Sequence, residues 1–249
     1  AHLLEAMSPS GPGTCVPSRR QGSTGIEGWI RQPITRWERI NTVTPRTLLL
    51  LHGAGQNPPT WQDVVTAIGP DRPLHAPWLR GLKPTDGRGF DIDGAVADLV
   101  SLMELRDLDV VDVCGTGLGG MVALRFAADE PARVGRLVLV DTPVIPPKGA
   151  LRIQRTMLKL APQRVFAPGV SKESMLEGLD AMMSLDLSTD LRRIESPTTV
   201  VAAAGNKLAV TAADVLVKGI TGATGFTVDG ASADVVKERP DDLADIINQ

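Results

Sequence analysis

Apolar residues occur in two patterns along the chain, as short continuous runs and as longer segments with helical spacing. Runs such as LLLL at 48–51 and LVLV at 137–140 are apolar at every position, which is typical of strands in a sheet covered on both faces. The longer segments place apolar residues three or four positions apart, as amphipathic helices do. Strands that alternate with helices of this length predict a mostly parallel sheet with helical crossovers.

The pattern predicts six strands and seven helices in alternation. Asp91 or Asp93 is expected to cap the second helix, because a short carboxylate side chain can accept hydrogen bonds from free backbone N–H groups. Pro131 is expected to end the third helix. The predicted strands are 47–53, 72–78, 109–115, 134–143, 198–205 and 224–230, and the predicted helices are 59–69, 91–108, 118–131, 150–161, 172–187, 211–220 and 239–249.

Three parts of the chain differ in composition and rhythm. Residues 1–24 are rich in Pro, Gly and Ser, which predicts a flexible arm. Residues 25–142 and 194–249 form the predicted α/β core, whose first part, from 25 to 42, is interpreted as a hairpin of two short strands. Residues 143–193 interrupt the alternation with two successive helices and predict a small helical insertion.

Composition narrows the class of protein. The chain has 249 residues and a net charge of −3, which fits one domain and gives no sign of a nucleic-acid partner. No apolar run reaches the length of a membrane span, the start lacks a signal-peptide pattern, and the two cysteines suit reduced thiols. These features predict a cytoplasmic protein without a membrane partner. No His, Cys and carboxylate cluster has metal-ligand spacing, so neither a metal nor another cofactor is expected.

The stretch VDVCGTGLGG at 111–120 carries the most specific signal, because it is interpreted as a strand end, a glycine turn and a helix start. Its G-x-G-x-x-G spacing from Gly115 to Gly120 is unlike a dinucleotide site, since it comes late in the chain and no acidic residue occupies the ribose-binding position. Together with LLLLHGAGQNPPTW at 48–61 and IESPTTVVAAAG at 194–205, the turn and its following helix and strand resemble the α/β-hydrolase superfamily over about residues 25–249.

The resemblance implies an α/β-hydrolase fold, with a mostly parallel central sheet, helices on both faces, and residues 143–193 as a small helical cap. It also places the nucleophile, acid and histidine positions of that superfamily on Gly117, Leu208 and Ala233, none of which can do the corresponding chemistry. The three histidines are His2, His52 and His75. The resemblance therefore implies a member that lacks the catalytic triad.

The oxyanion hole is expected to remain even without the triad side chains, because its donors are backbone N–H groups, which need no particular side chain. Asp141, His52 and Thr116 are the candidate catalytic residues. His52 could equally brace its loop, and Asp141 could equally fix the turn before Pro143. The expected oxyanion and pocket residues are Gly53, Ala54, Gly55, Gln56, Leu118, Thr142, Met157 and Met182, where the methionines would either line an adaptable apolar pocket or pack the core.

These features lead to three alternative functions. The first is a non-hydrolytic enzyme of cyclase, isomerase or lyase type, which would orient a small apolar natural-product-like substrate and polarise it through the oxyanion hole. The second is a receptor-like protein that binds a small molecule, and the third is an esterase-type hydrolase with residual activity. Each predicts a small apolar partner in a capped pocket, and the sequence leaves a homodimer open.

Overall fold

The computed structural model describes residues 45–83, 88–162 and 172–249. The predicted arm at 1–24 and the predicted hairpin at 25–42 lie outside these residues. Within them, the fold is the α/β-hydrolase fold expected from the sequence, with a six-stranded parallel sheet and flanking helices.

The strands of the sheet are β1 (Leu48–Leu51), β2 (Leu74–His75), β3 (Val111–Thr116), β4 (Val134–Val140), β5 (Thr198–Ala203) and β6 (Thr224–Val228). All strand pairings in the sheet are parallel, and the strand order is β2-β1-β3-β4-β5-β6. The strand β2 is shorter than the predicted 72–78, because Pro73 and Pro77 flank it and proline donates no backbone hydrogen bond.

Eight α-helices are found among the described residues, and three short 3-10 helices, Pro58–Trp61, Pro131–Arg133 and Asp190–Arg193, add single turns. The helix that was predicted at 211–220 starts four residues earlier, and the one predicted at 239–249 is preceded by a separate turn of helix. The α-helices are α1 (Gln62–Ile68), α2 (Ile92–Leu105), α3 (Leu118–Asp129), α4 (Lys148–Leu160), α5 (Lys172–Ser184), α6 (Lys207–Gly219), α7 (Val235–Glu238) and α8 (Pro240–Asn248).

The sheet separates two apolar cores. Side chains alternate across β1, so Leu49 and Leu51 pack with α2, α3 and α6 on one face, while Leu48 and Leu50 pack with α1, α7 and α8 on the other. Cys114 belongs to the second core, and complete burial raises the pKa of its thiol. The continuous apolar runs in the sequence therefore reflect burial on both faces.

The helix α3 packs unusually closely against the sheet. Gly117, which precedes it, has φ 53° and ψ −116°, a conformation that glycine adopts most readily. Two residues later, a Cβ on Gly119 would collide with the backbone carbonyl groups of Leu51 and His52. The first turn of α3 can lie against the end of β1 only because this position has no side chain.

A buried ion pair at the opposite end of the sheet ties the last helix to the strands. Arg72 approaches Asp112 at 2.5 Å and donates to the carbonyl oxygen of Ile247 in α8 at 3.1 Å. Arg136 donates to the same carbonyl at 3.2 Å. Burial lowers the pKa of Arg72 and raises the pKa of Asp112, although each charge favours ionisation of the other. The contacts of the two arginines thus join four segments that are distant in sequence.

The substitution Gly119→Ala should lower the free energy of unfolding by about 1–3 kcal/mol, because the added methyl group meets backbone atoms that cannot move aside. Gly149→Ala in α4 is the matched control, since a Cβ there meets nothing within 4 Å. Urea unfolding followed by circular dichroism would measure both variants. Equal midpoints for the two variants would contradict the close packing of α3.

Candidate functional site

Two adjoining cavities lie at the carboxyl ends of the strands, beneath α4 and α5. Their volumes are about 280 Å³ and 430 Å³. The smaller cavity reaches the loop after β1 and the loop before α7, while the larger one extends between α4 and α6. Both are lined by Gly117, Asp141, Leu151, Gln154, Met182 and Asn206.

The turn from β3 into α3 forms the floor of the smaller cavity. Thr116, Gly117 and Leu118 all line it. Leu118 is the first residue of α3, so its N–H group has no acceptor inside the helix and lies at the positive end of the helix dipole. A Cβ on Gly117 would meet nothing within 4 Å. The turn therefore offers a backbone donor beside open space.

The loop after β1 faces the turn and is connected to the loop before α7. The N–H group of Gly53 donates to Oε1 of Gln56 at 2.8 Å, and Nε2 of Gln56 donates to Oδ2 of Asp234 at 3.1 Å. Ala54 also lines the smaller cavity, whereas the side chain of Met175 in α5 occupies the space where a Cβ on Gly55 would lie. Gln56 thus couples one wall of the cavity to a carboxylate on the other.

The structure does not bring His52 to either cavity. Its ring is fully buried, with Nδ1 3.1 Å from the carbonyl oxygen of Gly53 and Nε2 accepting from the N–H group of Leu79 at 3.3 Å. Burial lowers the pKa of His52 to about 4, against the opposing effect of the hydrogen bond with Gly53. A neutral ring with both nitrogens occupied braces this loop, as the alternative interpretation of the sequence expected.

Asp141 follows β4 and lines both cavities. It has φ 45°, a backbone conformation that is uncommon for residues other than glycine. Its Oδ1 accepts from the N–H group of Ala203 at 2.9 Å, and the carboxylate also accepts from the N–H group of Val235. Burial raises the pKa of Asp141, the two N–H groups oppose that shift, and repulsion from Asp234 and Glu238 adds to it.

Asp234 is a site residue that the sequence analysis missed. Its Oδ1 is buried and accepts no hydrogen bond from any described residue, while Oδ2 accepts from Gln56 and lies 3.6 Å from Nζ of Lys237. The sequence signal was its position next to Ala233, where the resemblance places the histidine. A second carboxylate therefore lies close to Asp141 in the same cavity wall.

The loop that carries Asp234 is held by Glu238 in α7. Its carboxylate accepts from the N–H groups of Ser232, Ala233 and Asp234 at 2.7, 3.0 and 3.0 Å, and from the hydroxyl group of Ser232. These hydrogen bonds lower the pKa of Glu238 to about 2. Ser232 is consequently engaged in fixing the loop.

The remaining predicted residues divide between the cavity walls and other positions. Leu208 and Ala233 line the larger and the smaller cavity respectively, and Met182 lines both. Thr142 is buried and donates to the carbonyl oxygen of Val140 at 3.0 Å, while Met157 is 68% exposed on α4; neither lines these cavities.

Asn206 and Gln154 are cavity residues that the sequence analysis did not single out. Asn206 caps α6, because its side-chain oxygen accepts from the N–H group of Ala209 at 3.2 Å. The pattern N-x-x-A at the start of the apolar period is a recognisable capping signal.

A sequence profile of the Alpha/beta hydrolase family matches residues 48–246, which include the sheet, the turn before α3 and both cavity walls. The chain belongs to the alpha/beta hydrolase family. The family's parallel sheet and turn account for the position of the cavities at the carboxyl ends of the strands.

Curated relatives match a shorter part of the chain. A pimeloyl-[acyl-carrier protein] methyl ester esterase of Aromatoleum aromaticum is 41% identical over 95 residues, which are 38% of this chain and 36% of the relative. A soluble epoxide hydrolase of a Corynebacterium species is 36% identical over 96 residues, 38% of this chain and 34% of the relative. The matches thus span about a third of these relatives.

Solved structures match more of the chain. A hydrolase from Pseudomonas aeruginosa has a TM-score of 0.72 and 18% identity, and the match covers 83% of this chain and 89% of that one. The enol-lactonase from Burkholderia xenovorans has a TM-score of 0.70 and 19% identity, with 82% and 90% covered. At these identities the likeness supports the fold.

The predicted non-hydrolytic function is wrong. Relatives with a named activity are named as esterases, an epoxide hydrolase and a dienoate hydrolase, which indicates hydrolysis. The prediction relied on the residue types at three positions, and although it considered Asp141, it did not anticipate that Asp234 lies close to it. The cyclase, isomerase and lyase interpretations are withdrawn.

The contacts of Glu238 predict how the loop responds to acid. Since its pKa is lowered from 4.5 to about 2, its hydrogen bonds stabilise the loop fully above pH 4.5 and are lost as the pH falls through about 2. We expect the amide protons of Ser232, Ala233 and Asp234 to stay protected from exchange down to about pH 3.

In Glu238→Gln the same amide protons should exchange faster at every pH at which Glu238 is ionised, because a neutral side chain accepts more weakly. Glu195→Gln, at an exposed position before β5, is the control. Nuclear magnetic resonance would measure the exchange rates. Unchanged protection in Glu238→Gln would show that other contacts hold the loop.

Proposed function

We propose that this protein hydrolyses a carboxylic ester or lactone without a Ser-His-Asp triad, by direct attack of a water molecule. The observation that carries the proposal is the pair Asp141 and Asp234 in one wall of a cavity whose floor is the N-terminus of α3. The hydrolytic activities named for the relatives support the reaction class. The absence of the triad is part of the proposal and rests on Gly117 and Ala233, which have no acid–base side chain.

Asp141 is the proposed general base. A base works best when its pKa lies near the working pH, and burial moves the pKa of Asp141 upward from its ordinary value. Asp234, with one carboxylate oxygen unoccupied and the other held by Gln56, would orient the same water. The open space beside Gly117 leaves room for this water where a nucleophilic side chain would otherwise stand.

The proposed reaction balances without a cofactor. The water oxygen adds to the carbonyl carbon as Asp141 takes one proton. The resulting oxyanion accepts hydrogen bonds from the N–H groups of Leu118 and Ala54, which line the cavity beside the turn. Collapse of this intermediate breaks the bond to the alcohol oxygen, which receives the proton from Asp141. The products are the acid and the alcohol.

We expect Asp141→Asn to lower kcat for p-nitrophenyl esters by about 10²–10⁴-fold, the usual contribution of a general base. The matched control is Asp214→Asn on the exposed side of α6, where the carboxylate pairs only with Lys218 among the described residues. Thermal unfolding of both variants would verify that folding is unaffected. Full activity of Asp141→Asn, or no ester or lactone hydrolysis by the unsubstituted protein, would contradict the proposal.

The pH dependence offers an independent check. Activity should rise with pH as Asp141 loses its proton, at a pKa above the ordinary aspartate value. Because Asp234 repels the charged form of Asp141, Asp234→Asn should move this acidic limb to lower pH. A pH profile of kcat/KM would measure the shift, and a limb that stays in place would contradict the pairing of the two carboxylates.

A single turnover in oxygen-18 water distinguishes attack by water from attack by a side chain. Direct attack puts one heavy oxygen into the product acid during the first turnover. Attack by the Asp141 carboxylate would instead form a mixed anhydride, and hydrolysis of this anhydride at the aspartyl carbonyl would leave an unlabelled oxygen from Asp141 in the product acid. Mass spectrometry of the product acid would decide. An unlabelled acid would replace the general-base role of Asp141 with a nucleophilic one.

A further inference from the structure

The helix α4 has two apolar faces. Leu151 and Leu158, spaced seven residues apart, pack towards the core. Ile153, Met157 and Leu160 recur at spacings of four and three residues, so they form a second stripe on another side of the helix. These three side chains are 61%, 68% and 82% exposed. We call Ile153, Met157 and Leu160 the α4 stripe.

The α4 stripe belongs to a larger concentration of exposed apolar side chains. Ten large apolar residues are exposed in the described part of the chain, and seven of them lie on α4, on α6 or in the segment before α4. Ile145, Leu208 and Val215, which are among these seven, also line the larger cavity. Concentration of this kind marks an interaction surface, whereas single exposed apolar residues are common.

The charge of α4 indicates the kind of surface that it fits. Its sequence KGALRIQRTMLKL contains four basic residues and no acidic residue, although the whole chain has a net charge of −3. Arg155 pairs with Asp180 in α5, while Lys148, Arg152 and Lys159 form no ion pair with any described residue. An apolar stripe beside unpaired cations is typical of helices that lie in the interface of an anionic membrane.

We propose that α4 docks on an anionic phospholipid surface, with the α4 stripe inserted among the acyl chains and Arg152 and Lys159 at the headgroups. None of the described helices is long and apolar enough to cross a bilayer, so this contact is one of attachment to one leaflet. The sequence analysis expected no membrane partner because it considered spanning segments, whereas this proposal concerns attachment through the exposed side chains of α4.

The test is co-sedimentation of the full chain with vesicles of phosphatidylglycerol and phosphatidylcholine in equal amounts, compared with phosphatidylcholine alone. We expect binding to the anionic vesicles that weakens with added salt. Leu160→Gln should weaken it about tenfold, since one buried leucine contributes that much to partition. Leu105→Gln is the matched control, because Leu105 is 81% exposed at the end of α2 and Leu160 is 82% exposed at the end of α4.

Charge is tested separately. Arg152→Gln with Lys159→Gln should reduce binding to anionic vesicles and leave any binding to phosphatidylcholine unchanged, and Arg192→Gln, outside α4, should have little effect. Circular dichroism would verify that each variant folds. Ester hydrolysis plays no part in these measurements, so their outcome is separate from that of the proposed reaction.

Three outcomes would overturn the proposal. The first is no sedimentation with anionic vesicles. The second is equal binding by Leu160→Gln and Leu105→Gln. The third is a dimer in solution that Leu160→Gln dissociates while vesicle binding stays absent, which would assign the α4 stripe to a second copy of the chain.

Discussion

The contact between the first turn of α3 and the end of β1 is the constraint on which the site depends. Gly119 lets the helix approach two backbone carbonyl groups, and Gly117 lets the chain turn sharply enough to begin the helix there. The N–H group of Leu118 consequently lies at the floor of the smaller cavity. A Cβ at Gly119 would collide with these carbonyl groups and move the donor, so the position of the donor depends on a residue without a side chain.

Three carboxylates lie around this turn, and burial raises the pKa of one of them, Asp141. Asp141 is held by N–H groups from two other segments, and Asp234 has one oxygen without a partner. Glu238, by contrast, is exposed, and the N–H groups of the loop that it holds stabilise its charged form. The carboxylates therefore differ in how many backbone N–H groups they accept from, three for Glu238 and two for Asp141.

The sequence predicted the fold well because its signals are local or repeated. Apolar runs located the strands, and the turn at Gly117 located the site. Prediction from the sequence failed where contacts between distant segments determine which side chains lie together. Asp234 lies 93 positions after Asp141, and no periodicity relates the two, so their proximity appears only after folding. His52 was a candidate catalytic residue in the sequence, but in the structure its ring is buried, contacts two backbone groups and does not line either cavity.

The link from Arg72 and Arg136 to Ile247 has a consequence for synthesis of the chain. Among the described helices, α1, α7 and α8 cover one face of the sheet, so Trp61 and Val64 remain open to solvent until α7 and α8 have been synthesised and have docked. Contacts of such long sequence separation form late and slow the folding of a domain. During that interval the nascent chain exposes an apolar surface, which makes it a natural client for chaperones.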